Sequence, residues 1–119
     1  MARPVLILAA LLGGALIAAQ ASAQDAATDA SADRGRDLVL KHCSRCHSLA
    51  ATGPSSEPSA PPFRDLHKRY PVENLGEALA EGILVGHPQM PEFRFGPDDV
   101  TAVIDYLNRI QSGTAKPNP

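Results

Sequence analysis

Apolar residues recur at helical spacing in this sequence, and no segment alternates apolar and polar positions as a half-buried strand does. Residues 71–85 carry apolar side chains three or four positions apart, which predicts an amphipathic helix. A second helix is predicted near the C-terminus, because Gly96-Pro97 and two acidic residues form a helix start and Ser112-Gly113 forms a helix end. The apolar face of that helix consists of Val100, Val103, Ile104, Leu107 and Ile110.

A third helix is predicted from Asp33 to the cysteines, with Asp33 at its N-terminus and the apolar run Leu38-Val39-Leu40 inside it. Residues 51–62 include five prolines or glycines and are predicted to form a loop. The sequence has no internal repeat and no sign of a second domain. We therefore expect one all-α domain over residues 33–112, followed by a flexible tail over residues 113–119.

The first 23 residues have the features of a secretory signal peptide. Arg3 precedes 15 residues without a polar side chain, and Ala21 and Ala23 suit the cleavage site. A membrane span needs about 20 apolar residues, so a retained membrane anchor is the weaker alternative, and we expect cleavage after Ala23, a periplasmic location and no stable membrane insertion afterwards. Residues 24–32 hold small and polar side chains only, which predicts a disordered leader.

Composition narrows the possible functions of the domain. The chain has 119 residues, with 11 basic and 13 acidic side chains and a formal net charge of −2, which gives no electrostatic case for nucleic-acid binding. Aromatic residues make up only 4% of the chain and tryptophan is absent. Aromatic side chains usually supply much of the hydrophobic core of a small domain. We therefore expect a bound apolar group to complete the core of this domain.

The strongest motif is Cys43-Ser44-Arg45-Cys46-His47, the C-x-x-C-H pattern of covalent c-type haem attachment. Residues three apart lie on one side of a helical turn, so both thiols can reach the two vinyl groups of one porphyrin edge. His47 would then supply an imidazole to the iron. The competing interpretation is a thiol–disulfide redox pair, which gives His47 no necessary role.

The second axial ligand of the iron has several candidates. Met90, the only methionine left after signal cleavage, lies in a loop with a proline on each side and is the favoured ligand. His42 is expected to face away from the iron, and His67 lies in a basic stretch typical of a surface. His87 and an open position remain alternatives.

Together these features resemble class I monohaem cytochrome c, the small bacterial soluble kind, over residues 32–111. In that family a glycine eight residues before the first cysteine lies where the first and last helices cross, and Gly35 stands there. The last helix carries an aromatic and then an aliphatic residue, as in Tyr106-Leu107. The resemblance implies the cytochrome c fold, with three to five helices wrapped around one covalently bound haem c.

The resemblance also implies roles for Pro61-Pro62-Phe63. In the family a proline carbonyl accepts a hydrogen bond from the imidazole, and a nearby hydrophobic residue packs on the haem. Pro61 is the better match for that proline, Pro62 is the alternative, and Phe63 is the hydrophobic residue. The family's tryptophan, which often bonds a haem propionate, is absent, so we consider its replacements to be Arg64, Arg69 and Tyr70.

A haem whose two axial positions are both filled by the protein has no place for a substrate. The sequence therefore predicts a one-electron carrier that is not an enzyme, is a monomer and docks transiently on other redox proteins. Two alternatives are a haem subunit of a larger dehydrogenase complex and a gas-binding sensor in which Met90 can be displaced. A catalytic nucleophile arrangement is not left once the cysteines and His47 are used.

Overall fold

The computed structural model describes residues 5–82 and 89–115, with side chains described from residue 24 onward. The chain divides into two units, residues 1–30 and residues 31–119. The described residues form helices α1 (Val5–His42), α2 (Leu75–Glu81) and α3 (Pro97–Ser112) and two 3₁₀ helices, Phe63–Lys68 and Val72–Asn74. None of these residues belongs to a strand, which confirms the predicted all-α class. Within this part of the chain, no helix combines the length and the apolar character that a membrane crossing requires.

Helix α1 differs from the prediction at its N-terminal end. The helix begins before the expected Asp33, because it already includes residues 24–32, for which the sequence predicted a disordered leader. The segment has four alanines, the best helix formers, and no proline or glycine to interrupt the helix. Ala32 is also buried, with 3% of its surface exposed. The predicted signal peptide, residues 1–23, lies outside the described side chains and stays a prediction.

Helices α1 and α3 cross at Gly35, as the resemblance implied. A Cβ atom placed on Gly35 would lie 1.8 Å from the carbonyl oxygen of Ala102 and 3.0 Å from the Cβ atom of Tyr106. Only a residue without a side chain permits this approach. An exposed ion pair between Arg34 and Asp99, with 2.6 Å between nitrogen and oxygen, spans the same two helices but adds little stability.

Helix α3 begins and ends where the sequence predicts. Gly96 is its N-cap, Pro97 opens its first turn, and Gly113 closes it in the left-handed conformation with φ of 72°. Its buried face is rotated from the predicted one, since Ala102 and Tyr106 are buried while Val100 and Ile104 are only half-buried. The close approach at Gly35 explains this rotation, because it turns the side of Ala102 and Tyr106 toward α1.

The predicted helix over 71–85 is shorter and broken. Val72–Asn74 forms a 3₁₀ turn, α2 follows, and Gly82 ends it with φ of 77°. Residues 83–85 lie outside the described part of the chain. The buried side chains of this region join those of α1, α3 and the first 3₁₀ helix in one core. Its members are Val39, Phe63, Leu66, Val72, Leu79, Val103, Tyr106, Leu107 and Ile110.

Candidate haem-binding site

A cavity of about 430 Å³ brings the chemically distinctive residues together. Its volume is in the range typical of cofactor pockets. The two cysteines, His47 and Met90, which are up to 47 positions apart in the sequence, all line it. The other lining residues are His42, Arg45, Ser56, Glu57, Gln89, Pro91 and Phe93.

A smaller cavity of about 40 Å³ adjoins the first and is almost entirely apolar. Cys43, Met90, Pro91 and Phe93 line both cavities. The remaining walls of the small cavity come from the core and from α2, namely Val39, Phe63, Leu75, Ala78, Leu79, Val103 and Leu107. The core is therefore open toward the large cavity on one side, and a flat apolar group could close it there.

The segment of the two cysteines keeps a helical turn after α1 ends. The backbone N–H groups of Cys46 and His47 both donate to the carbonyl oxygen of Cys43, at 3.1 and 2.9 Å. The N–H of Cys43 donates in turn to Val39. The two thiols are not joined as a disulfide and are half-buried. This turn places both of them on the wall of the same cavity.

The surroundings of Cys43 argue against a redox dithiol. Burial, and to a smaller extent the neighbouring Cys46, raise the pKa of its thiol to about 11. A thiol–disulfide oxidoreductase needs a thiolate near neutral pH and therefore an environment that lowers the pKa. The folded chain provides the opposite environment. This environment does not favour Cys43 as the attacking thiolate of a redox pair.

His47 is held in one orientation and one tautomer. Its ring is buried, and Nδ1 lies 2.8 Å from the carbonyl oxygen of Pro61. Because that oxygen can only accept a hydrogen bond, Nδ1 carries the proton and Nε2 carries the lone pair that a metal requires. The hydrogen bond expected of Pro61 is thus present, and Pro62 does not take its place.

Phe63 contacts the imidazole itself. Its ring stacks on His47 with 4.6 Å between centroids and 10° between planes. The backbone N–H of Phe63 donates to Ser48, and its carbonyl oxygen accepts from the Nε2 group of Gln111 at the end of α3. Gln111 also accepts from the backbone and ring nitrogens of His67. Sequence reasoning missed Gln111, since nothing in its pattern distinguishes it from a surface glutamine.

Met90 lies in an irregular segment, residues 89–95, that returns from α2 to α3. At one end of the segment, the hydroxyl of Ser59 lies 3.2 Å from the side-chain oxygen of Gln89 and 3.0 Å from the Glu57 carboxylate, and its one proton is shared between these two acceptors. At the other end the N–H of Phe95 donates to the carbonyl oxygen of Leu79 at 2.9 Å. Met90 itself is half-buried between the two cavities. The competing candidate His87 lies outside the described residues.

A comparison with protein families agrees with this geometry. The family described as cytochrome c oxidase, cbb3-type, subunit III, matches residues 30–107, more than half of the chain. The chain belongs to this family of cytochrome c domains. Its expected place among small c-type cytochromes is thereby confirmed. Comparison with curated proteins and with solved structures gives no significant match.

The side chains of this cytochrome c domain fit a haem c. The donor set combines two adjacent thiols, an imidazole whose Nε2 lone pair is set by Pro61, and a thioether, all on one cavity. The apolar walls of the small cavity complement the porphyrin plane. A bound porphyrin would cover the side of the core that is open toward the large cavity. The chemistry of the site and the family therefore point to the same cofactor.

One candidate ligand is placed differently from the prediction. His42 was expected to face away from the iron, but it lines the large cavity of the cytochrome c domain. Its ring meets Phe93 and Phe95 edge-on, with centroid distances of 5.7 and 5.5 Å. These phenylalanines lie more than fifty residues further along the chain, so helical position alone could not show the contact. His67 lies exposed, as its basic neighbours suggested.

The proposed replacements for the missing tryptophan do not line the large cavity. Arg64 instead donates to the carbonyl oxygens of Ala50 and Gly53, at 3.0 and 2.6 Å, and so holds the loop after the haem motif. Arg69 and Tyr70 are also absent from the cavity wall. Arg45, between the two cysteines, is the arginine that lines it.

Proposed function

We propose that this cytochrome c domain is a periplasmic one-electron carrier with one haem c, held by Cys43 and Cys46 and ligated axially by His47 and Met90. Membership of the cytochrome c family supports haem-based electron transfer. The observation that carries the finer proposal is the single cavity on which all four side chains meet.

The two thiols supply the covalent attachment. Each S–H would add across one vinyl group, so that sulfur bonds to one carbon and hydrogen to the other, and neither an oxidant nor a reductant is consumed. The helical turn from Cys43 to His47 presents the thiols and the imidazole to the same cavity. Haem c, when bound, supplies an iron that alternates between Fe(II) and Fe(III) by one electron.

His47 and Met90 are the residues that would hold the iron of a bound haem c and set its properties. The Pro61 carbonyl fixes the His47 tautomer and increases the basicity of its Nε2 atom. The Met90 thioether favours the ferrous state relative to a second imidazole and therefore raises the reduction potential. With both positions filled by the protein, a substrate has no place to bind, which supports a carrier rather than an enzyme.

The mouth of the cavity suits brief docking. Arg45 and Glu57, of opposite charge, both line it, and neither sign dominates there. Transient redox complexes usually have small interfaces. We propose that the monomer exchanges its electron through this opening, and that the predicted signal peptide delivers it to the periplasm.

A second candidate function is suggested by the matched family. Its description names a subunit of an oxidase, which favours a haem subunit of a larger complex. Gel filtration of mildly solubilised native cells, followed by detection of covalent haem, distinguishes the two. A carrier elutes at the mass of the single chain, and a subunit elutes with a large assembly.

Covalent attachment is tested by Cys43→Ala and Cys46→Ala. Each variant removes one sulfur, so we expect at most one thioether in each, seen as a shifted pyridine haemochrome spectrum and as a weaker haem-stained band on denaturing gels. Ser44→Ala is the control, because Ser44 lies between the cysteines and its hydroxyl bonds only to the Leu40 carbonyl, at 2.5 Å. If the wild-type protein releases all its haem into acidified butanone, the attachment proposal is wrong.

A further inference from the structure

The described residues include a cluster of three rings beside the haem cavity. His42, Phe93 and Phe95 form this ring cluster, in which His42 meets each phenylalanine edge-on. The two phenylalanines pack on each other with 5.7 Å between centroids and 14° between planes. All three side chains are half-buried, and both His42 and Phe93 line the cavity.

The ring cluster connects the end of α1 with segment 89–95, and the proposed haem site requires a fixed distance between these two parts of the chain. His42 is the last residue of α1 and directly precedes Cys43. Phe93 and Phe95 lie three and five residues after Met90, in the irregular segment 89–95. That segment has no helical hydrogen bonds of its own, so side-chain contacts have a larger part in fixing its position.

We infer that His42 is a positioning residue for Met90, and that its ring, by anchoring Phe93 and Phe95, limits how often a small ligand replaces the thioether on the iron. The inference rests on the proposed ligation by Met90. A movement of the Met90 backbone away from the cavity would displace the residues that follow it. Such a movement separates Phe93 from the imidazole edge and breaks the favourable edge-to-face contact.

Covalent attachment of haem would give this anchor a fixed point of reference. Cys43, the next residue, would be bonded to the porphyrin edge, which fixes the end of α1 relative to the haem. The ring cluster then fixes segment 89–95 relative to the same point. The backbone bond from Phe95 to Leu79 fastens one end of the segment independently of His42, so loss of the His42 ring should loosen the ligand without releasing the whole segment.

The test measures how fast imidazole, added at a fixed pH, binds to the ferric holoprotein. This rate reports how often Met90 leaves the iron. His42→Ala removes both ring contacts and is expected to increase the rate on the order of tenfold, while the methionine-to-iron charge-transfer band weakens. His42→Phe keeps an aromatic edge at this position and is expected to restore most of the wild-type rate and band.

Two further variants separate positioning from general stability. Phe95→Leu alters the ring cluster from its other side, at a residue that does not line either cavity, and should also accelerate imidazole binding. Ile110→Val weakens the core away from both cavities and should lower the midpoint of denaturation without changing the rate. Hydrogen exchange at the Phe95 amide provides a readout that does not depend on the iron, and it should stay as slow in His42→Ala as in the wild type, because the bond to Leu79 still holds that end of the segment.

The inference is overturned if His42→Ala binds imidazole at the wild-type rate, or if His42→Phe behaves like His42→Ala. If His42→Ala does not retain haem, the test relies on Phe95→Leu. Imidazole binding at the wild-type rate in Phe95→Leu then overturns the inference. Met90→Ala identifies a failure of the underlying ligation. If Met90→Ala also leaves imidazole binding unchanged, Met90 is not the ligand and the proposed function fails; if Met90→Ala alone accelerates binding, only the role of His42 is refuted.

Discussion

Replacing Met90 by alanine is expected to open the second axial position of the iron. The ferric protein should lose the charge-transfer band of methionine ligation, and the ferrous protein should bind carbon monoxide rapidly. The reason is that the Met90 side chain, a thioether, lines the large cavity, and alanine at this position has no atom that reaches a metal. Optical spectra of both oxidation states, with and without carbon monoxide, measure the change.

Met90→His extends the same test to the potential. An imidazole favours Fe(III) more than a thioether does, so we expect the reduction potential to fall by on the order of 0.1 V or more, within the range of about 0.8 V that axial ligands span. A spectroscopic redox titration gives the value. The shift should occur without loss of covalent haem, since Cys43 and Cys46 are unchanged.

His87→Ala is the matched control for these Met90 variants. Its spectrum should remain that of the wild type. The reverse result, an open iron in His87→Ala and a silent Met90→Ala, would make this a bis-histidine cytochrome of low potential. Rapid binding of carbon monoxide to the unmodified ferrous protein would instead favour the gas sensor.

Substitution of Gly35 by leucine is expected to cause the largest loss of stability. Even the first atom of a side chain would lie 1.8 Å from the Ala102 carbonyl oxygen, and a backbone atom cannot turn away as a side chain can. Helices α1 and α3 would have to separate, at an overpacking cost of about 1–3 kcal/mol or more. Urea unfolding followed by far-UV circular dichroism should show a strongly lowered midpoint.

Gly76→Ala is the control for the Gly35 substitution. Gly76 lies in α2, and the nearest atom to its added Cβ is a methyl group of Val100 at 3.8 Å, an ordinary contact. Since alanine favours helix over glycine, this variant should be as stable as the wild type or more so. An unchanged midpoint in Gly35→Leu would contradict the crossing of α1 and α3 at this residue.

The sequence predicts best where the signal is local. The limits of α3 follow from Gly96, Pro97 and Gly113, whose backbone preferences act at their own positions. The haem motif is likewise local, whereas the contact of His47 with Pro61, 14 residues away, was expected from the family resemblance. Gly82 was overlooked because apolar spacing continues past it, although its left-handed backbone ends α2.

What the sequence could not show depends on contacts between distant segments. The direction of His42 is decided by two phenylalanines in the segment of Met90, and helical geometry alone places the ring on the wrong side. The rotation of the α3 face is likewise decided by the missing side chain of Gly35 on α1. The extension of α1 through residues 24–32 is a different case. The prediction gave too much weight to the polar composition of this segment and too little to the helix propensity of its alanines.

The hydrogen bond from Gln111 to Phe63 has a consequence for expressing this domain as part of a fusion protein. The family match stops at residue 107, but Gln111 lies one helical turn further on and binds the carbonyl of the residue that stacks on His47. A gene fusion that joins a foreign partner after residue 107 would therefore remove a fastening of the iron-binding side. A fusion point after Gly113, where α3 has ended, leaves that fastening in place. A fragment that keeps this hydrogen bond thus extends to the end of α3, beyond the last residue of the family match.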